Sequence, residues 1–310
     1  MTERKANLRH ASQFYALRGV VKLLRLLGFR TAGNIGAAIG AFGYRPLGVR
    51  REVVEKQVRS AFPELDQAGV ERIALAAYEH LGRTSIETAV LPGYTRGELL
   101  SFFIPPQGWE LFERARAAGK GLIVVTGHIG NWEMGGAYVA AREVPIDVVA
   151  RRMENPLFDD FLTRTREEIG MKVIYDADAV RTVPRSIRAN RVVALLADQG
   201  AAGLASTWVL FFGRLAKTAR GAATLALRLG APVVFAAAIR QPDGRYQFVV
   251  EEVPVTPTGN LDADVEKIVT DYTATLERWV RRYPDQYFWH HRRWKHQREG
   301  TPPELGDPLK

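Results

Sequence analysis

The sequence predicts an α/β protein: a central, mostly parallel sheet flanked by helices, behind an N-terminal amphipathic helical segment. Two observations carry the prediction. Short, nearly all-apolar runs recur, among them Leu122 to Val125, Val192 to Ala197 and Val233 to Ile239. Between them lie segments with apolar residues at helical spacing. Strands apolar along their whole length need cover on both faces, and alternating helices supply it.

Residues 10–30 read as a basic amphipathic helix. On a helical wheel Arg18, Lys22 and Arg25 share one narrow stripe, with Val20, Leu23, Leu24 and Leu27 opposite. Such a helix either packs on the protein's own core or lies in a bilayer interface with its cations near lipid phosphates. The uncharged run from Thr31 to Tyr44, between Arg30 and Arg45, falls short of the roughly 20 apolar residues that a membrane span requires. The start also lacks the compact apolar region and cleavage site of a secretory signal. The expected division is a membrane-associating segment over 1–48 and a single α/β domain over 49–310.

Arg50 to Ala61 and Val70 to Val90 read as helices on either side of Phe62-Pro63-Glu64, and Pro105-Pro106 closes this helical section. Trp109 to Ala118 is a helix feeding the strand Leu122 to Val125. Further on, Ile146 to Ala150, Lys172 to Tyr175, Val192 to Ala197, Trp208 to Phe212, Val233 to Ile239 and Tyr246 to Val253 read as strands. Helices are expected over Pro156 to Ile169, Ala179 to Ala189, Thr218 to Leu229 and Asp262 to Arg282. The Pro-rich tail from Thr301 reads as disordered.

The 46% hydrophobic content of 310 residues is enough for one substantial core. No cysteine is present, which removes disulfides, thiolate metal sites and a cysteine nucleophile. A net charge of +9 favours anionic partners: phospholipid surfaces, acidic carrier proteins, CoA phosphates or nucleic acid. The charges are spread along the chain and no nucleic-acid-binding motif accompanies them, so no nucleic acid is expected. Neither a metal nor a cofactor is called for, and a monomer is expected.

The chemistry concentrates in Gly127-His-Ile-Gly-Asn-Trp-Glu133, directly after the first apolar strand. Gly127 and Gly130 give flexible backbone, and Asn131 is a good N-cap for a helix starting near Trp132. Two residues five apart on one continuous helix diverge by roughly 140°. With His128 in the turn and Glu133 just inside the helix, the two can converge as a general base and its orienting carboxylate. The residues alone leave open a core histidine beside an ordinary first-turn glutamate. Ligands of such sheets sit beyond the carboxyl ends of the strands, where His128, Arg151, Tyr175, Asp198 and Gln199 fall. Asp198 ends an apolar strand, where a carboxylate needs a partner.

His-Ile-Gly-Asn-Trp-Glu resembles the His-x4-Asp/Glu motif of the late acyltransferases of lipid A biosynthesis, shared by the phosphatidylinositol mannoside acyltransferases and, in similar form, by glycerolipid acyltransferases. Further segments match in the same order: Phe62-Pro63-Glu64 with Glu87, Arg166 before Glu-x-x-Gly, Asp198-Gln199, Phe211-Phe-Gly-x-x-Ala, Gly230-Ala-Pro232, and His291-Arg-Arg-Trp-Lys295. The resemblance covers residues 50–295. It implies an O-acyltransferase moving a fatty acyl group from an acyl carrier protein or CoA thioester to a glycolipid hydroxyl at the cytoplasmic face of the bacterial inner membrane. His128 and Glu133 would be catalytic. Arg166, Asp198, Gln199, Asn131, Arg151, Arg292 and Arg293 would bind substrate. The family often has an acidic residue after the Asp-Gln step, where this chain has Gly200-Ala201-Ala202; many members begin with a membrane-spanning helix, in place of which a monotopic attachment is expected here. A lipid esterase or a non-catalytic membrane-surface protein is the competing reading.

Overall fold

The structure is a computed structural model that describes residues 7–200 and 205–309. Its first part is helical: α1 (Leu8–Leu26), α2 (Phe29–Tyr44), α3 (Arg51–Ala61), α4 (Gln67–Val90) and α5 (Arg96–Ser101). There follow β1 (Phe103–Gln107), α6 (Trp109–Ala117), β2 (Leu122–Thr126), α7 (Trp132–Ala141), β3 (Ile146–Ala150), α8 (Pro156–Glu168) and β4 (Met171–Tyr175). The chain continues through α9 (Asp176–Arg188), β5 (Val192–Leu196), β6 (Ser206–Phe211), β7 (Arg214–Ala219) and α10 (Gly221–Leu229). It closes with β8 (Val233–Arg240), β9 (Tyr246–Val253) and α11 (Leu261–Arg282).

Seven strands form one sheet in the order β1-β9-β8-β2-β5-β3-β4, and β6 and β7 form a separate hairpin. Every pair in the large sheet is parallel except β8 with β9. Alternation along β2 divides the core. Ile123 and Val125 join one apolar cluster with α10 and α11, while Leu122 and Val124 join another with α7. All four are buried, as the unbroken apolar run requires.

Three element assignments change. Pro105-Pro106 lies inside β1; a sheet edge tolerates residues without an N–H, and β1 pairs only with β9. Thr218 belongs to β7, and the next helix starts at Gly221, because residues 206–219 fold as an antiparallel hairpin. The tail is not disordered over 301–309: Arg292 pairs with Asp307, and Arg214 Nη1 donates to the Gly306 carbonyl at 2.9 Å.

Residues 1–6 of the N-terminal segment lie outside the described residues. α1 packs on α8, with Phe14 edge-on to Phe158 and Phe161 at 5.7 and 6.2 Å. The apolar face of the wheel splits: Leu24, with Val21, is buried, while Val20, Leu23, Leu26 and Leu27 face out. α2, the uncharged run, packs on α4, where a Cβ on Gly36 would come within 2.5 Å of the Gly82 carbonyl oxygen. Among the described residues no helix is long and apolar enough to cross a membrane.

Candidate active site

β2 and β5 are parallel neighbours with Thr126 opposite Leu196. Two residues beyond each, at equivalent positions past the carboxyl edge, stand His128 and Asp198. The Asp198 carboxylate accepts twice from the same residue: Oδ2 from the His128 backbone N–H at 2.9 Å and Oδ1 from the ring Nδ1 at 2.7 Å. Since an ionised carboxylate only accepts, Nδ1 carries the proton and Nε2 keeps its lone pair. Burial works to raise the Asp198 pKa. Electrostatic attraction to His128, the two bonds His128 donates and the nearby Arg293 outweigh it and bring it down to about 2.

The turn around His128 is fastened on several sides. Its carbonyl accepts from Phe288 N–H at 2.9 Å, Gly130 N–H donates to the Gln286 carbonyl at 2.9 Å, and Asn131 N–H donates to the Ala238 carbonyl at 2.9 Å. His80 Nε2 lies 2.9 Å from the Gly130 carbonyl, so that nitrogen donates. Burial lowers the His80 pKa to about 4, so the ring is neutral at pH 7. Gly130 is required here, with φ +60° and its Cβ direction blocked by the Ala238 carbonyl, and a Cβ on Gly127 would sit 2.7 Å from Leu276 Cδ1, so that side chain would have to move. Trp132 and Phe288 flank the imidazole at ring distances of 4.9 and 5.8 Å.

The expectation that Glu133 holds the imidazole is not met. Glu133 is bound twice by Arg166, from Nε at 3.0 Å and Nη2 at 2.5 Å. Starting α7 with Asn131 as N-cap turns the second residue of the helix toward α8 and away from β5. Burial pulls the Arg166 pKa down and the Glu133 charge more than restores it. Arg166 Nη1 has no protein partner among the described residues. The pair stands at the polar end of an apolar cavity of about 70 Å³, lined by Trp132, Val139, Val148, Met171, Leu196 and other residues between α7 and the sheet.

The other expected site residues separate into two sets. The Gln199 side-chain nitrogen lies 3.2 and 3.4 Å from the two His128 ring nitrogens, so this residue belongs to the site. Arg151 is exposed just past β3. Asn131 is fully buried and engaged at both ends: Oδ1 caps α7 at Met134 N–H, and Nδ2 donates to Glu87 and to the Tyr246 hydroxyl, each at 3.1 Å. It therefore has no free group for a substrate. Arg293 is buried too, donating to the Lys217 carbonyl at 2.8 Å and Thr218 Oγ1 at 2.6 Å, and Arg292 is paired with Asp307. Arg293 thus secures the C-terminal loop, while Arg292 ties that loop to the tail and also lines a surface cleft.

Sequence reasoning missed the layer beneath the turn. Glu87 from α4 pairs with Arg240 and accepts from the Tyr246 hydroxyl, and this buried trio holds Asn131. Burial and Glu87 hold the Tyr246 pKa well above its usual value, so the hydroxyl stays a donor. A buried glutamate in a helix was the available signal that it required a cation. Among the described residues no group of three or more His, Cys, Asp or Glu is placed to hold a metal ion.

A histidine fixed by a carboxylate at the carboxyl edge of a helix-covered parallel sheet defines an enzyme-like site with a general base able to activate a hydroxyl. The chain belongs to the bacterial lipid A biosynthesis acyltransferase family, whose model matches residues 1–296. It is 26% identical over 286 residues to the lipid A biosynthesis lauroyltransferase of Escherichia coli K12, covering 92% of each chain. It is 25% identical to the palmitoleoyltransferase of the same organism, over 89% of each chain. A phosphatidylinositol mannoside acyltransferase of Mycolicibacterium smegmatis is 23% identical over 66% of this chain and 67% of its own. The protein is an acyltransferase.

Proposed function

We propose that the chain moves a fatty acyl group from an acyl carrier protein or CoA thioester to a hydroxyl of a membrane glycolipid, a lipid A precursor in the first place. The observation that carries the reading is the Nδ1 anchorage of His128 to Asp198, which leaves Nε2 as the base. Nε2 takes the proton of the acceptor hydroxyl as its oxygen attacks the thioester carbonyl. Arg166 Nη1 meets the oxyanion that forms. Collapse breaks the C–S bond, and the imidazolium returns the proton to the departing thiolate. Asp198 stabilises the imidazolium while it exists, a role the sequence had given to Glu133. The apolar cavity beside Trp132 takes part of the acyl chain, so the two substrates meet in one ternary complex.

The enzyme works at the cytoplasmic face of the bacterial inner membrane. Exposed Leu23 and Leu26 on α1, with Leu27 at its C-cap, rest at the bilayer interface, and α1 lies directly on the helix that carries Arg166. The test is transfer of labelled acyl groups from acyl-CoA and acyl carrier protein to a lipid A precursor and, separately, to a phosphatidylinositol mannoside. His128→Ala is expected to lower turnover by about 10²–10⁴-fold. Undiminished transfer in that variant removes the proposal, and release of free fatty acid faster than transfer identifies a hydrolase instead.

A further inference from the structure

The loop from Trp289 to Lys295 is clamped to α3 by one buried side chain. Gln57 Nε2 donates to the Trp289 and His291 carbonyls at 2.5 and 2.8 Å, and its Oε1 accepts from Arg293 N–H at 2.7 Å. This fixes the loop opposite the start of α3, where Arg50 stands. Between the two is an open cleft of about 470 Å³ lined by Arg50, Val53, His291, Arg292 and Lys295, with no carboxylate in its wall. The acidic residues of nearby α3 turns are already engaged, Glu52 with Lys56 and Glu55 with Arg51. Arg292 is matched by Asp307. The side chains of Arg50, His291 and Lys295 have no hydrogen-bond or ion-pair partner among the described residues.

Three unmatched donors around a cleft suit a compact, multiply charged anion. The cleft also adjoins the active site, because Phe288, three residues before His291, is bonded to the His128 carbonyl. We propose that Arg50, His291 and Lys295 form a phosphate-binding subsite beside His128, taking a phosphate monoester or diester carried by one of the two substrates. The proposal rests on the acyl-transfer reading for its purpose, though not for its geometry. Burial is the main cause that lowers the His291 pKa to about 4; Asp198 opposes it, and the charges of Arg293, His128 and Arg50 add to the lowering. The ring is thus a neutral N–H donor at pH 7, and an arriving phosphate relieves the crowding of positive charge. Two sources carry this chemistry: a phosphorylated headgroup on the acceptor, and the phosphodiester of the pantetheine arm on the donor.

The test compares the full chain with the double variant Arg50→Asn/Lys295→Gln. Asn suits position 50, where φ is +58°. Calorimetric titration with inorganic pyrophosphate is expected to show binding that the double variant weakens by about tenfold or more, the factor one charge-assisted bond carries. In the transfer assay, KM for one substrate is expected to rise by a similar factor, with a smaller change in kcat. Loss of that rise with a dephosphorylated glycolipid assigns the phosphate to the acceptor; loss with acyl-pantetheine assigns it to the donor. Equal pyrophosphate binding by both proteins, with both KM values unchanged, overturns the subsite. Absence of any acyl transfer would refute the functional reading alone, since the titration still decides the subsite.

Discussion

The His128 ring and the Asp198 carboxylate meet at 2.7 Å because they lie at the same distance past paired residues of two adjacent parallel strands. The couple is therefore a product of sheet register. One carboxylate holds both the backbone and the side chain of the base, so the imidazole's tautomer and its position are set together.

Asp198→Asn tests that coupling. The amide can present an N–H to Nδ1 and favour the wrong tautomer, so kcat is expected to fall by about 10²–10⁴-fold with little change in KM. Because Asp198 has its pKa near 2, it stays ionised at any working pH, and its contribution to stability is lost only as pH falls from about 3.8 through about 2. Steady-state kinetics of the variant check the first expectation; wild-type turnover would refute it.

Glu133 and Arg166 form a nearly buried ion pair, with side-chain exposures of 8% and 14%. Removing one member strands the other charge. Glu133→Ala is expected to destabilise the fold by roughly 3–5 kcal/mol, and Glu133→Leu combined with Arg166→Met to recover most of that. Denaturant unfolding measures both. If the double variant regains stability and stays inactive, Arg166 serves the reaction; recovered transfer would confine the pair to architecture.

Membrane attachment through α1 predicts flotation with anionic vesicles. Val21 and Leu24 are buried, so deleting the helix would also disturb the core; changing exposed Leu23, Leu26 and Leu27 to Asp is the cleaner probe. Binding is expected to drop by tenfold or more on the order-of-magnitude cost of withdrawing three leucines from the interface. Unchanged flotation would place the contact elsewhere.

Acid lability follows from His80, His290 and His291, each brought down to about 4 chiefly by burial. Above about pH 6.5 these rings are neutral in folded and unfolded chains alike. Between about 6.5 and 4 the unfolded chain binds protons that the folded chain refuses, so stability falls as pH drops through that window. His80 alone accounts for something on the order of 3 kcal/mol. Thermal melts across the window, compared with His80→Gln, whose amide can still donate to Gly130, should show a shallower slope in the variant.

Much of the scaffold was readable because its signals are local. Leu122 to Val125 had to be a covered strand, and it lies within β2; Asn131 had to cap a helix, and it accepts from Met134 N–H. The misplaced elements were those whose identity depends on distant partners. Pro105-Pro106 is a strand only because β9 lies beside it, and residues 214–219 are a strand only because β6 does. Arg293 looked like a free cation because nothing nearby in the chain announces Lys217, Thr218 and Phe211 around it.

The sequence by itself determined the class of fold, the turn that presents His128 and the presence of a carboxylate at the end of the strand Val192–Leu196. Strand and cap preferences act over a few residues and are written in them. Which carboxylate reaches the imidazole was decided only in three dimensions. Glu133 is five residues away and turned aside by the helix it opens, whereas Asp198, seventy residues away, is brought alongside because β5 pairs with β2. Register between strands depends on how a whole sheet packs, and that is settled by the two cores it separates, not by the spacing of residues along the chain.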